Sequence, residues 1–181
     1  MSSRNQAPRK KRTNAEVKVA RAQRENRRHK KDQNEIMELR KDRQELQSSL
    51  GGVIRNIREV NECIQSKEYA DKLGQERLDK CVGTIKEFVT ELEDKKDFIK
   101  TTVSKLESLE EQVITKKAAV TDVIFPYNLA ATPLMDTIIN LTHKGIDAMA
   151  SCNQMLTEVS DELEPDSNTK SSEDKKVDEN E

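Results

Sequence analysis

Apolar residues recur in sevens from Ile36 to Val120. The positions Ile36, Arg43, Leu50, Ile57, Ile64, Asp71, Leu78, Ile85, Leu92, Ile99, Leu106, Val113 and Val120 keep one phase, and eleven of the thirteen are aliphatic. Leu39, Leu46, Val53, Val60, Phe88 and Leu109 fall on the companion positions. An a/d repeat of this length predicts long helix that buries a narrow seam against other helices. As one continuous rod, about 85 residues would reach on the order of 130 Å. The seam expected to join copies or partners is Ile36, Leu39, Leu46, Leu50, Ile57, Ile64, Leu78, Ile85, Leu92, Ile99, Leu106 and Val113.

Two places weaken the rod. Gly51-Gly52 costs about 1 kcal/mol per glycine relative to alanine. Lys67, Asp71 and Gly74 put polar or absent side chains on three successive seam positions. Because the phase survives both, bends are favoured over loops, with a hairpin around 66–76 as the alternative. Beyond Leu78 the apolar face widens through Val82, Val89, Phe98 and Val103, which suits a bundle of three or more helices.

Two prolines, Pro126 and Pro133, predict a break over 124–133, since neither donates a backbone hydrogen bond. Leu134 then opens a second amphipathic stretch, with Thr132 as its expected N-cap and Pro133 at the first helical position. Met135, Ile138, Ile146, Met149, Leu156 and Val159 are its expected packing stripe, returning alongside the rod. Pro165 ends it. The sequence thus predicts an all-α chain: a coiled-coil rod with a C-terminal helical return, in a hairpin or bundle. Its divisions are a disordered basic arm (1–13), a basic helical extension (14–32), the heptad rod (33–123), a connector (124–133), the return helix (134–164) and a disordered acidic tail (165–181). Asn14 is the expected N-cap of the extension.

Composition agrees with this picture. Of 181 residues, 36% are charged and 3% aromatic, with no Trp, too little bulk for a conventional globular core. Net charge is −2 but unevenly spread: residues 1–32 hold twelve Lys/Arg against three acids, and 126–181 hold four against twelve. Such polarity points to a basic arm for a polyanion or an import receptor. Two clusters carry it, Arg9-Lys10-Lys11-Arg12 and Arg27-Arg28-His29-Lys30-Lys31, with Arg24 beside the second. They read as a nuclear-import signal or as contacts to DNA or RNA phosphates.

A basic helix running into heptads resembles the basic leucine zipper family. That family's base-reading pattern, an Asn followed eight residues later by an Arg, is missing: Asn14 leads to Ala22, Asn26 to Asn34 and Asn34 to Asp42. Any nucleic-acid binding is therefore expected through phosphates, without sequence preference.

No apolar run approaches a membrane span or a secretory signal. Cys63, Cys81 and Cys152 are widely spaced, as in a reduced intracellular chain. No metal-ligand spacing, glycine-rich phosphate loop or catalytic constellation is present. No cofactor, small-molecule substrate or enzymatic activity is expected. Thr13, Thr132, Ser171 and Ser172 lie in kinase-type contexts, which suits a phosphoprotein. The reading is a non-enzymatic, oligomeric coiled-coil scaffold or adaptor subunit of a nuclear, chromosome- or nucleic-acid-associated assembly. Alternatives are a zipper-like dimeric DNA-binding regulator, a cytoplasmic tethering or cytoskeletal subunit, or a viral assembly cofactor.

Overall fold

Helix starts where the chain offers a reciprocal cap. In Thr13-Asn14-Ala15-Glu16, the Thr13 N–H donates to Glu16 Oε2 at 2.8 Å and the Glu16 N–H donates to Thr13 Oγ1 at 3.3 Å. This capping box satisfies two donors that a helix end otherwise leaves open. The N-cap is Thr13, one residue before the expected Asn14.

The fold is known from a computed structural model, which describes residues 13–163. Among them are three helices and no strand: α1 (Asn14–Gln65), α2 (Lys67–Ile114) and α3 (Val120–Leu163). The all-α class read from the sequence is what is observed. Arg9, Lys10, Lys11, Arg12 and the acidic tail lie outside the described residues.

The heptad stretch is not one rod. Helix α1 ends at Gln65, Ser66 forms a bend, and Gly74 interrupts α2 with a φ of 75°. A positive φ is open to glycine without the Cβ penalty that other residues meet. The polar seam positions Lys67, Asp71 and Gly74 therefore mark a reversal, the hairpin held as the alternative, and the favoured continuous rod is corrected. Seven-residue phase could not decide this, because each arm of an antiparallel pair needs the same period.

The helices contribute to two compact units, one of 1–47 with 96–137 and the other of 48–95 with 138–181. In the first, α1 and α2 pass antiparallel: Gln33 Nε2 donates to the Ile114 carbonyl at 3.1 Å, and Arg43 meets Glu110. Ile36, Leu106, Val113, Val120, Val123, Tyr127, Ala130, Ala131 and Leu134 are buried there. In the second, Val53, Ile57, Ile64, Leu73, Cys81, Ile85, Phe88, Cys152 and Val159 form the core, with Leu78, Leu92, Met149 and Leu156 packed against it.

Intramolecular burial changes the meaning of the seam. Ile36, Leu50, Ile57, Ile64, Ile85, Leu106 and Val113 are buried by the chain's own helices, while Leu39, Leu46, Leu78, Leu92 and Ile99 are partly buried. Expected as an oligomerisation surface, the seam closes inside one chain. Val89 and Phe98, expected to widen it, are exposed.

The predicted connector is also helix. Pro126 and Pro133 sit inside α3, which runs unbroken from Val120. Each proline removes one hydrogen bond to the carbonyl four residues earlier. Those carbonyls belong to Asp122 and Leu129, both exposed, where water can replace the missing donor. Against this stands the burial of Tyr127, Ala130, Ala131 and Leu134, which the helix continues through. Thr132 is consequently not a cap. The cap is Ala119 with Asp122, whose Oδ2 accepts from the Ala119 N–H at 3.2 Å.

The inward face of α3 differs from the expected stripe too. Ile138 and Val159 are buried, and Met135, Met149 and Leu156 are partly buried, but Ile146 is 46% exposed. In its place Gly145 and Ala148 are buried. A Cβ on Gly145 would lie 2.3 Å from Val53 Cγ1, 3.0 Å from Phe88 Cε2 and 3.1 Å from Ile57 Cδ1. Here the backbone itself fills the seam, a role that counting large apolar residues does not reveal.

Candidate functional site

The candidate site lies in the first unit, where α1 passes the turn between α2 and α3. Every residue from Thr13 to Arg28 is exposed except Ala20, which is intermediate. This stretch of helix has no buried face. Val17 and Val19 are 52% and 57% exposed, so the described residues do not bury them. A helix polar on all sides gains little from burial and depends on local pairs or on a partner. Locally, Arg21 Nε donates to Glu25 Oε1 at 3.2 Å.

Arg21, Arg24, Arg28 and Lys31 recur at three- and four-residue spacing, which places them on one face. At ~1.5 Å per residue they span about 15 Å. Arg27 and Lys30 flank this row. Arg24, Arg27, Arg28, Lys30 and Lys31, all singled out from the sequence, are thus exposed side chains on one helical segment. Apart from the Arg21–Glu25 pair, the cations of this segment have no ion-pair partner among the described residues.

The structure adds two cations that the sequence pattern does not mark. Lys116 and Lys117 face Arg28 and His29 across an open hollow of about 470 Å³, whose other walls include Glu25, Asp32 and Asp122. The turn carrying them is tightly closed. Lys117 N–H donates to the Gln112 carbonyl at 2.8 Å and Lys116 N–H to the Val113 carbonyl at 3.2 Å, with Lys116 at φ 60°. This is a Schellman C-cap, whose left-handed position glycine usually fills. Lys116 is the one non-glycine residue with positive φ among the described residues. Asp32 joins the turn to α1, accepting from the Val120 N–H at 3.4 Å. His29 Nε2 is buried without a hydrogen-bond partner among the described residues.

Below this end sits a buried polar cluster. Arg43 donates through Nε and Nη2 to the two oxygens of Glu110, each at 3.0 Å, and through Nη1 to Gln47 Oε1 at 2.7 Å. Tyr127 Oη donates to Glu110 Oε1 at 3.1 Å, and Arg40 approaches Glu110 Oε2 at 3.4 Å. Burial opposes the Arg43 charge, yet the hydrogen bond and charge of Glu110 outweigh it and raise its pKa. Burial, reinforced by Glu110, pushes Tyr127 up to about 12. The cluster joins three helices, and among the described residues none of its buried side-chain nitrogens and oxygens lacks a hydrogen-bond partner. Arg43, one of the two exceptions in the heptad register, is explained by Glu110, 67 residues away, whose carboxylate Tyr127 also bonds, and no local pattern names either.

Free thiols Cys81 and Cys152 are buried, and Cys63 is partly buried. Cys81 Sγ donates to Met155 Sδ at 3.4 Å and Cys152 Sγ to the Cys81 carbonyl at 3.9 Å, as core packing. Among the described residues no three His, Cys, Asp or Glu side chains converge as metal ligands would, and no helix is long and apolar enough to cross a membrane. Comparison with protein-family models, curated proteins and solved structures finds no match for this chain.

Proposed function

We propose that this chain is a non-enzymatic helical adaptor of a nuclear assembly, held on nucleic acid through phosphate contacts made by its basic N-terminal helix. The observation that carries the reading is the segment Asn14–Arg28, helical yet exposed on all sides, with cations that find almost no acid among the described residues. Its stability and its charge are both completed by an anionic partner. The basic residues 9–12 extend the same charge and supply the import signal.

With the heptad seam closed internally, oligomerisation in this reading uses the outer face of α3. Phe125 and Leu129, four residues apart, are 75% and 67% exposed. They give a coiled-coil-like contact for a second copy or a partner helix.

The test is a salt titration of the full chain with a nucleic-acid duplex. Affinity falls linearly on a log–log plot of salt, and R24Q/R28Q/K31Q lowers the slope by about 0.9 for each phosphate no longer neutralised. Absence of binding at low salt refutes the proposal. Replacing Arg9, Lys10, Lys11 and Arg12 by Ala leaves a fluorescently tagged chain outside the nucleus; an unchanged distribution removes the import role.

A further inference from the structure

We infer that the outer face of α3 pairs with the same face of a second copy of this chain, running antiparallel, with Phe125 of each copy against Leu129 of the other. This rests on the oligomeric reading proposed above and names its partner and register. All the residues involved belong to the first compact unit.

Three observations carry it. First, Phe125 and Leu129 are the most exposed of the large apolar side chains among the described residues, and their surroundings are almost free of charge. Asp122, Phe125, Leu129, Thr132 and Asp136 are all exposed and recur at alternating three- and four-residue spacing, which puts them in one outward row. The thirteen residues between its two acids, 123–135, carry no charge. Covering such a strip releases water from apolar surface without stripping it from ions. Second, the row is symmetrical about residue 127. An antiparallel copy set about that point places 125 opposite 129 and 122 opposite 132, so the row meets itself, as the isologous contact of a two-fold dimer requires. Third, the same register sets Asp136 opposite residue 118, next to Lys117 and Lys116. The side chains of Asp136, Lys116 and Lys117 have no hydrogen-bond or ion-pair partner among the described residues. Burial of the apolar pair fixes this register before charge enters, and the charges agree with it at both ends.

Other arrangements fare worse on the same residues. A parallel copy stacks Phe125 on Phe125 and Leu129 on Leu129, but it sets Asp122 against Asp122 and Asp136 against Asp136. An antiparallel copy centred on 129 sets Asp136 against Asp122, again a like pair. One centred on 125 sets Leu129 against the hydroxyl of Thr121 and takes Asp136 away from the lysines. The exposed part of α1 is not the occupant, because Val17 and Val19 are two residues apart and share no face, and docking it would bury cations on an uncharged strip. A foreign helix would have to repeat the uncharged centre and basic end that a second copy already carries. The pair so formed holds two basic helices, so contacts to a polyanion are made twice per particle.

The experiment is sedimentation velocity of the full-length protein, without nucleic acid, over concentrations from micromolar to near millimolar. The weight-average mass climbs from that of one chain toward that of two. F125E/L129E stays monomeric throughout, while its thermal melt by circular dichroism matches the parent, because both side chains lie outside the core of the single chain. D136K and K117E each raise the dissociation constant by roughly two- to thirtyfold, since every dimer makes the contact twice. D136K/K117E, which exchanges the two charges, recovers most of that loss. A parent that stays monomeric, or an F125E/L129E variant that self-associates as the parent does, overturns the inference. Losses that add in D136K/K117E instead of cancelling overturn the antiparallel register. The basic-helix reading is decided separately by the salt titration above, and a monomeric parent that binds the duplex leaves that reading standing.

Discussion

Gly145 is the most exacting test of the α3 packing. Replacing it with Ala inside a helix gains about 0.8–1 kcal/mol of intrinsic propensity. The added methyl, however, would lie 2.3 Å from Val53 Cγ1, too close for any relaxed contact, and near Phe88 and Ile57 as well. Overpacking of this kind costs about 1–3 kcal/mol. The net expectation for Gly145→Ala is a loss of up to about 2 kcal/mol. Gly83 is the control, since a methyl group there would meet nothing within 4 Å and it too sits in helix. Gly83→Ala should therefore stabilise by about 0.5–1 kcal/mol. Urea unfolding followed by circular dichroism measures both. The clash itself is isolated by adding Val53→Ala, which alone costs roughly 1.6 kcal/mol for two buried carbons. In the double variant the pair should be less damaging than the sum by about 1–3 kcal/mol. If Gly145→Ala and Gly83→Ala stabilise equally, or the cycle with Val53→Ala shows no coupling, the Gly145 backbone is not packed against α1 and the register of α3 on α1 is wrong.

Glu110→Ala strips Arg43 of its bidentate partner in a buried setting and should cost about 3–5 kcal/mol, while R43M/E110L, which removes both charges, should recover most of it in the same unfolding assay. Tyr127 has a folded pKa of about 12, above the usual value of 10.0, so its contribution is fully present below pH 10 and is lost as pH rises through 12. Stability measured across that window should fall, and Tyr127→Phe should flatten the fall; with Tyr69→Phe, phenolate absorbance follows Tyr127 alone. Cys152, pushed up to about 12 by burial and by Cys81, should resist a maleimide that labels Cys63, so that one thiol reacts quickly in the folded chain and three after denaturation.

The sequence makes the helical class legible because period-seven burial leaves its mark along α1 from Ile36 onward and along most of α2. It also marks the reversal, through Lys67, Asp71 and Gly74, but marks it ambiguously, since phase says nothing about direction. Three features escape for distinct physical reasons. Gly145 and Ala148 pack by being small, so a search for large apolar side chains finds Ile146 instead. Pro126 and Pro133 look like helix breakers until the burial of Tyr127, Ala130 and Leu134 is weighed against two missing hydrogen bonds. Lys116 and Lys117 come to line one hollow with Arg28 and His29 only through the chain reversal, which no local pattern shows. By contrast, the cations from Arg24 to Lys31 are legible directly, because neighbours on a helix remain neighbours in space. The capping box at Thr13 is equally readable, from Thr and Glu three residues apart.

A heptad seam has translational ambiguity: sliding one helix by seven residues exchanges one aliphatic contact for another of nearly equal worth. The cluster of Arg43, Glu110 and Tyr127 is not periodic in this way. Moving α2 by one repeat past α1 would set Val103 or Lys117 where Glu110 stands, leaving the buried guanidinium either without an acceptor or against a like charge. A similar slip of α3 would replace Tyr127 by Val120 or Leu134 and remove one of the two donors to Glu110 Oε1. The polar cluster thus acts as a vernier on an otherwise repetitive scale, singling out one alignment of three helices among several that the apolar residues alone would accept.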